Sequence, residues 1–415
     1  MPTPFDPQTF ATLIGRGVMQ IGDGHRARLA ELGGDGPIFL RAGLISDDGI
    51  RLQGGDRFRT DVAVPSAKFS VGRDTFVTTK GNSVGRTGYI PLDLPPCVYS
   101  PHLSYWRSLD KDTLHPEFLR YWARSPAFAA QLHAMAHGTD MAPYLSLIDQ
   151  KRLVIALPPI HEQRGVAHIL GALDDKIESN NRLARVLDAL GEAVFERWFA
   201  DQADSITVPV RERVRLVLGG TPPRANAAYW TGGSVAWIAS GEANKFRILE
   251  PTAFITPQAM AQSATKMMPS GTTVVAITGA TLGKVSRLEI PACANQSVVG
   301  LLGNGEVPDS FLFYWLRTAV PELLRRQTGA AQQHVNKNDV GSLSIPLATQ
   351  DEVARLSLTL DPLLKSVGGC LREARTLAGI RHSLLPKLVS GDIRVPDTSD
   401  PNEVIGPVTD MFAAS

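Results

Sequence analysis

The feature that most constrains this chain is an internal repeat. A run of β-branched residues, followed by Gly-x-x-x-Gly and a basic residue, occurs at Phe76–Arg86 and again at Val274–Lys284. The β-branched run predicts a buried strand, and the glycines predict a sharp turn of the chain. Internal repeats decide the architecture of a chain, so the fold must accommodate two similar units.

Two further matches follow in the same order. A short helix is predicted at Pro116–Trp122 and again at Asp309–Trp315, because proline and acidic residues suit a first helical turn. Leu157–Gln163 and Ile345–Gln350 then each lead into a long helical pattern. A chance likeness of strands and helices does not explain the shared order. We interpret the chain as one unit written twice.

Each copy ends in a long helix whose apolar residues recur three and four positions apart. The first stripe comprises Val166, Leu170, Leu173, Ile177, Leu183, Leu187, Leu190, Val194 and Trp198. The second comprises Val353, Leu356, Leu360, Leu364, Val367, Leu371, Ala374, Leu377 and Leu384. Spacing near 3.5 residues is typical of a coiled-coil seam, so we expect the two helices to pack on each other.

Two features of the helices leave alternatives open. Asn180 interrupts the first stripe; it either lies inside the seam and fixes the register, or faces solvent at an end of the contact. The aromatic cluster near the end of the first helix forms either core or a protein-binding surface. The candidate partner-binding residues are Phe195, Trp198, Phe199, Leu384 and Leu385.

The segments before the helices are rich in Gly, Pro, Thr and Val, with short strands and turns, which is typical of α+β domains with β-rich cores. We predict five segments along the chain. They are a first globular domain at 1–157, a first long helix at 158–202, a second globular domain at 203–345, a second long helix at 346–395 and a flexible tail at 396–415.

Basic residues concentrate in the globular domains, although the net charge is only +1, so any polyanion site must be a local patch. Lys and Arg neutralise phosphates, while Asn, Gln and Arg read base edges. The candidate DNA-binding residues are Lys80, Asn82, Ser83, Arg86, Thr221, Arg224, Tyr229, Trp230, Lys245, Thr281, Lys284, Gln332 and Gln333. Two such domains on a rigid spacer suit two separated half-sites on duplex DNA; scattered surface charge is the alternative.

Composition excludes several other classes of protein. The hydrophobic share of 43% and the charged share of 20% are typical of globular proteins. Cys97, Cys293 and Cys370 are far apart and form no metal-like pair, which indicates free thiols in a reducing compartment. No apolar run approaches the roughly 20 residues needed to cross a bilayer, and Met1–Phe10 lacks the stretches of a signal peptide. We expect a cytoplasmic protein.

At these residues the chain resembles the specificity subunit (HsdS) of Type I restriction–modification systems. The segments that carry the resemblance are Leu157–Gln163, Leu170–Glu178, Gly219–Trp237 and Leu384–Val395. It implies an α+β fold in which two target-recognition domains each read half of a bipartite DNA target, and two long antiparallel coiled-coil helices set the spacing. One departure is that the first domain lacks a clear Gly-Gly-Thr-Pro segment around Phe10–Ala42.

The resemblance also implies partners. These are double-stranded DNA, two adenine methyltransferase (M) subunits docked on the helices, and ATP-driven restriction/translocase (R) subunits. S-adenosylmethionine, ATP and Mg²⁺ are then expected in the partner subunits, with no cofactor or metal in this chain. The chain itself would be non-catalytic but required for methylation and restriction in phage defence, in a bacterial or archaeal cytoplasm, associated with the nucleoid through DNA.

Motifs of enzymes are sparse in the sequence. The Asn/Asp-Pro-Pro-aromatic motif of an adenine methyltransferase is absent, and Gly283-Lys284 continues into Val285 rather than completing a phosphate loop. His133 and His137 have a spacing that can hold a metal, but no third ligand is evident. The alternatives left open are a nuclease with an unrecognised active site and a coiled-coil scaffold that binds only proteins.

Overall fold

The computed structural model of the 415-residue chain describes residues 5–46, 49–50, 52–136, 144–202, 205–328 and 333–395. These residues form two β-rich lobes, each followed by a long helix. Two compact units are present, and they cut across the order of the chain. The first contains the first lobe, the first long helix up to Lys176 and the second long helix from Leu377; the second unit is Ile177–Thr376.

Short strands dominate the first lobe. They are β1 (Asp6–Thr9), β2 (Met19–Asp23), β3 (Ile38–Leu40), β4 (Ile45–Ser46), β5 (Gly49–Ile50), β6 (Thr75–Thr78), β7 (Thr87–Tyr89), β8 (Cys97–Tyr99), β9 (Leu103–Ser108) and β10 (Val154–Leu157). The helices are α1 (Phe10–Gly15), α2 (Pro116–Trp122), α3 (Pro126–Ala136), α4 (Leu147–Arg152) and the first long helix α5 (Ile160–Ala200). The main sheet has the antiparallel order β2-β9-β6-β7.

The second lobe has the same kinds of elements. Its strands are β11 (Thr207–Pro209), β12 (Arg215–Leu218), β13 (Val235–Ile238), β14 (Ala253–Ile255), β15 (Thr273–Ala276), β16 (Val285–Arg287), β17 (Cys293–Ala294), β18 (Val298–Leu302) and β19 (Ser344–Pro346). The helices are α6 (Pro257–Gln262), α7 (Asp309–Arg325), α8 (Lys337–Gly341) and the second long helix α9 (Gln350–Ser390). The main sheet has the order β12-β18-β15-β16.

The topology of the first lobe is repeated in the second. The main sheets match strand for strand, and the parallel pair of β3 with β8 is matched by β13 with β17. Cys97 and Cys293 occupy corresponding places in these parallel pairs and are buried. Burial raises the pKa of the Cys97 thiol to about 11, so it stays protonated and unreactive. The predicted α+β fold with two similar β-rich domains is confirmed.

The long helices bury apolar residues against the lobe within each unit. In the first unit, Val166 and Leu170 of α5 and Leu384 and Leu388 of α9 join the core around Trp122. Ion pairs link the same segments, because Arg381 binds Asp174 and Arg394 binds Glu162. The two helices therefore run antiparallel within this unit.

Asp174 is the charged centre of that first-unit contact. Its carboxylate accepts hydrogen bonds from Arg120 and Arg381 and from the Tyr121 hydroxyl, and it lies within 3.4 Å of Arg124. Burial acts to raise the pKa of Asp174, but the surrounding arginine charges and hydrogen bonds outweigh it and lower this pKa below its usual value. The carboxylate thus stays ionised and ties the lobe to both helices.

In the second unit, the buried face of α5 differs from the prediction. Leu183 and Leu190 are 47% and 50% exposed, so the predicted stripe is wrong there, although the stripe of α9 is buried from Val353 to Val367. The buried face of α5 instead carries Asn180, Ala184, Asp188, Gly191 and Phe195. A Cβ at Gly191 would lie 2.1 Å from the Tyr314 hydroxyl, so α7 approaches α5 too closely for leucine at this face.

Asn180 lies on this buried face with only 3% of its surface exposed. The alternative that it faces solvent is therefore wrong. Its side-chain amide nitrogen has no hydrogen-bond partner among the described residues. A buried polar group without a partner lowers stability.

The predicted partner-binding role is wrong for Phe195 and Leu384. Phe195 is fully buried among aromatic side chains of the second lobe, and Leu384 is 3% exposed in the first core. Trp198, Phe199 and Leu385 are half-buried against the same two cores. These side chains pack in the cores of the two units, and this packing accounts for their apolar spacing along the long helices.

Candidate nucleic-acid interface

In each lobe, two strands of the main sheet end at the same edge, which we call the carboxyl edge. In the second lobe β12 and β15 are both antiparallel to β18, which lies between them, so their last residues Leu218 and Ala276 share that edge. In the first lobe β2 and β6 flank β9 in the same way, and Asp23 and Thr78 end there. Loops leaving such an edge lie at the surface, where ligands bind.

The glycine loops found in the sequence leave this edge in both lobes. Gly81 and Gly85 have φ of 71° and 83°, and Gly279 and Gly283 have φ of 66° and 77°. This left-handed conformation favours glycine. The second glycine of each loop donates its N–H to the carbonyl of the strand it leaves, at 2.9 Å in both lobes. The basic residue that follows therefore emerges at the same place in each lobe.

The first-lobe candidates all lie on this one loop. Lys80, Asn82 and Arg86 are exposed, and Ser83 is half-buried. The Lys80 ammonium lies 5.1 Å from the centre of the Tyr144 ring, which fixes its position by a cation–π contact. Arg86 donates from Nη1 to the carbonyl of Ile45 at 3.1 Å. The structure thus brings four hydrogen-bonding or charged groups together.

The second-lobe candidates of the glycine loop come together with a distant segment. Thr281 and Lys284 lie on the loop, and the backbone carbonyl of Gln333 accepts the Gly279 N–H at 3.2 Å. Lys284 is exposed, and its ammonium has no ion-pair or hydrogen-bond partner within the part of the chain that the structure describes. Gln332 lies outside the described residues.

A second group of candidates follows β12 at the same edge. The Thr221 hydroxyl lies 2.5 Å from Gln296 Oε1, just before β18. The Arg224 guanidinium lies 4.0 Å from the centre of the Trp230 ring and 5.2 Å from that of Trp237. Stacking holds the guanidinium while its N–H groups stay available to acceptors such as phosphate or a base edge. Trp230 in turn donates to the carbonyl of Pro223 at 3.3 Å.

Other candidates have partners inside the lobe. The Tyr229 hydroxyl donates to Gln262 at 3.3 Å, and the Lys245 ammonium lies 2.6 Å from Glu242. Arg247, which is also basic and close in sequence, is only 3% exposed and pairs with Asp188 at 2.5 Å. Several basic residues of the lobes are therefore structural, and sequence composition alone does not separate them from available ones.

Sequence reasoning missed one segment of the carboxyl edge. Residues 24–28 of the first lobe leave β2 directly, and Arg26 and Arg28 are exposed there, with His25 half-buried. The signal in the sequence is glycine at the end of a short strand followed by basic residues. It escapes notice because the Gly-Gly-Thr-Pro pattern of the second lobe is missing.

Neither a metal cluster nor a membrane-spanning helix is present among the residues that the structure describes. In the ranges described, no group of three or more His, Cys, Asp or Glu side chains is placed to share a metal ion. Of the spaced histidine pair, His133 lies on α3, and His137 falls outside the described residues. Among the described helices, none is both long and apolar enough to cross a bilayer.

Comparison with known proteins places this architecture. Residues 215–364 match the family model of the Type I restriction modification DNA specificity domain. The specificity subunit of the type I restriction enzyme MjaIX from Methanocaldococcus jannaschii is 21% identical over 388 residues, 88% of each chain. That of EcoR124I/EcoR124II from Escherichia coli is 23% identical over 148 residues, 34% of this chain and 37% of the relative.

A solved structure is similar over nearly the whole chain. The S subunit of a Type-I restriction-modification system from M. genitalium superimposes with a TM-score of 0.62 at 15% identity, and the match covers 96% of this chain and 98% of that one. This likeness confirms the predicted fold, with two lobes and two long helices.

Proposed function

Because this chain is a relative of the specificity subunits of Type I restriction–modification systems, we propose that each of its lobes reads one half of a bipartite DNA target. The observation that carries the proposal is the repeated carboxyl edge. The same strands, glycine loop and basic position are built twice. Arg86 and Lys284 supply the cation that phosphate contact requires, at corresponding places in the two lobes.

The two half-sites differ in sequence, because the loops share a backbone but present different side chains. Asn82 in the first loop is replaced by Ala280 in the second. The second lobe adds the stacked Arg224 and Trp230. Amide and guanidinium groups recognise adenine and guanine edges respectively, so the two edges select different bases.

The long helices offer a surface for partner subunits. On α5 the side chains of Leu183, Val186 and Leu190 are 47%, 57% and 50% exposed. Their spacing places them on one face of the helix, and exposed apolar patches mark protein-binding sites. We call these three residues the exposed stripe and assign it to contact with one of two methyltransferase subunits. The restriction subunits then join that complex.

Under this proposal, the catalytic activities belong to the partner subunits. The methyltransferase subunits hold S-adenosylmethionine, and the restriction subunits use ATP and Mg²⁺. This chain recognises the DNA target sequence and holds no cofactor or metal of its own. It works in the cytoplasm, where the nucleoid is accessible. The relatives support this division, since they are named as specificity subunits rather than as enzymes of methyl transfer.

Genome-wide mapping of methylated adenine tests the proposal. The full chain is expressed with its methyltransferase subunits in a host free of adenine methylation, and the subunits without the chain serve as the control. We expect methylated sites that share two short sequence blocks at a constant gap, and none without the chain. Asn82→Ala should relax only one block, and Thr281→Ala only the other.

Two results would contradict this function. Methylation with the same sequence preference in the absence of the chain would mean that specificity lies elsewhere. A change in the same block by both variants would mean that the lobes do not read separate half-sites. Purified chain with Mg²⁺ and DNA completes the test, because cleavage without partners would reveal a nuclease instead.

A further inference from the structure

The second lobe begins its carboxyl edge with two glycines that pass very close to another part of the backbone. The Gly219 N–H donates to the carbonyl of Val298 at 3.0 Å, and the Gly220 N–H donates to the carbonyl of Ala294 at 2.8 Å. A Cβ at Gly219 would lie 2.0 Å from the carbonyl oxygen of Asn295. Any side chain at this position would clash with backbone, so the crossing requires glycine.

The first lobe makes the same crossing with a different sequence. The Gly24 N–H donates to the carbonyl of Leu103 at 3.1 Å, and the His25 N–H donates to that of Tyr99 at 2.6 Å. A Cβ at Gly24 would lie 1.9 Å from the carbonyl oxygen of Ser100. Gly24 is therefore the structural counterpart of Gly219, and the missing Gly-Gly-Thr-Pro segment corresponds to Gly24-His25-Arg26-Ala27.

This correspondence places Arg26 where the second lobe has Thr221. In the second lobe that position leads directly to Arg224, the guanidinium stacked on Trp230. The first lobe has basic residues there instead, with Arg26 and Arg28 both exposed. A guanidinium at this edge can bind a phosphate or the O6 and N7 acceptors of guanine with two parallel hydrogen bonds.

The surroundings leave the Arg26 guanidinium available, unlike the cations of Lys68 and Arg59. Lys68 is held by Asp23, whose Oδ1 lies 2.5 Å from the ammonium, and Arg59 is held by Asp61 at 2.5 Å. The Glu31 carboxylate accepts the backbone N–H of Arg28 at 2.8 Å and lies 4.0 Å from the His25 ring nitrogen. The Arg26 guanidinium has no ion-pair or hydrogen-bond partner in the described portion of the chain.

We propose that Arg26 binds DNA in the half-site that the first lobe reads, at the place where the second lobe presents Thr221. This inference rests on the proposed function and adds a contact that lies outside the glycine loop. Asp23, the carboxylate closest in sequence, is neutralised by Lys68. This ion pair reduces the repulsion that Asp23 would exert on a phosphate at this edge. The charged residues of segment 24–28 are basic.

The test uses the full chain assembled with its methyltransferase subunits. Binding is measured to duplexes carrying the methylated target found for the wild-type complex. Arg26→Ala should lower affinity by about 5- to 150-fold if it contacts a base edge, since such a contact contributes about 1–3 kcal/mol of discrimination. The matched control is Arg16→Ala, because Arg16 is exposed in the same lobe but precedes β2 and so lies at the opposite edge.

Methylation maps and salt titration distinguish a contact of Arg26 with a base edge from a contact with a phosphate. Relaxed sequence preference in the first half-site alone would identify a base contact. An unchanged preference with a salt slope lower by about 1 would identify a phosphate contact. Either result supports the proposal. Affinity, slope and preference equal to those of Arg16→Ala would overturn it. A wild-type complex without any two-block target would instead refute the proposed function.

Discussion

Arg247 donates from Nη2 to Oδ1 of Asp188 at 2.5 Å, with only 1% and 6% of the two side chains exposed. The same carboxylate also accepts a hydrogen bond from Arg317 at 2.9 Å. Asp188 lies on α5, and both arginines belong to the second lobe. This buried carboxylate therefore fixes the lobe to the helix inside the second unit.

Replacing Asp188 by alanine should lower the free energy of unfolding of the second unit by about 3–5 kcal/mol, because two arginine charges lose their partner and Arg247 stays buried. Urea unfolding followed by tryptophan fluorescence measures this change. The control is Glu192→Ala, which removes a pair with Arg317 whose side chains are 36% and 30% exposed and should cost about 0–1 kcal/mol. Equal losses for the two variants would mean that burial does not strengthen the Asp188 contact.

The exposed stripe should contribute to binding of the methyltransferase subunits and little to the stability of the fold. Replacing Leu183, Val186 and Leu190 together by serine should change the free energy of unfolding by less than about 0.5 kcal/mol per residue, because these side chains are half-exposed. Co-purification with the methyltransferase subunits should fall. Phe195→Ala, in contrast, should cost about 3–5 kcal/mol through the cavity left in the core. Undiminished co-purification of the serine variant would place the docking surface elsewhere.

Much of the fold was predictable because it depends on local pattern. The strand and glycine loop at Phe76–Arg86 and the stripe of α9 follow from β-branched runs and helical spacing, which neighbouring residues determine. The close contact of Gly191 with Tyr314 was not predictable, because the two positions are far apart in the chain. A leucine stripe read from sequence cannot reveal that a lobe helix will cover the neighbouring face.

The candidate interface shows the same division. The loops at Gly81 and Gly279 are recognisable from the Gly-x-x-x-Gly pattern of the sequence, because their left-handed backbone favours glycine. The role of Gly24 depends on the carbonyl of Ser100, which only folding brings near. Likewise, Lys284 and Arg247 look equivalent in composition, but one is exposed and the other is buried with Asp188. Charge available to DNA is a property of the folded surface.

His115 should make the first unit sensitive to mild acid. Burial lowers the pKa of His115, and the nearby Glu117 carboxylate, 3.2 Å away, only partly offsets this. A histidine in the unfolded chain has a pKa of about 6.5, so His115 binds a proton more readily when the chain is unfolded than when it is folded. The stability of the folded state therefore falls as the pH drops below about 6.5. Thermal unfolding between pH 7 and pH 5 should show a smaller loss for His115→Gln than for wild type. His102→Gln, at an exposed position, should retain the wild-type dependence, and identical pH profiles for all three proteins would refute the assignment.

Lys284 provides the most direct electrostatic test of the carboxyl edge. Its exposed ammonium has no ion-pair or hydrogen-bond partner among the residues that the structure describes, so phosphate contact there would release counterions. Lys284→Ala should reduce the slope of log binding constant against log salt by about 1 in the assembled complex. Lys365→Ala is the control, because Lys365 is also exposed but lies on α9 rather than at the carboxyl edge, and should leave the slope unchanged. A slope that responds equally to both substitutions would show that the basic charge acts through the general field of the molecule, and a slope that responds to neither would place the DNA backbone away from this loop.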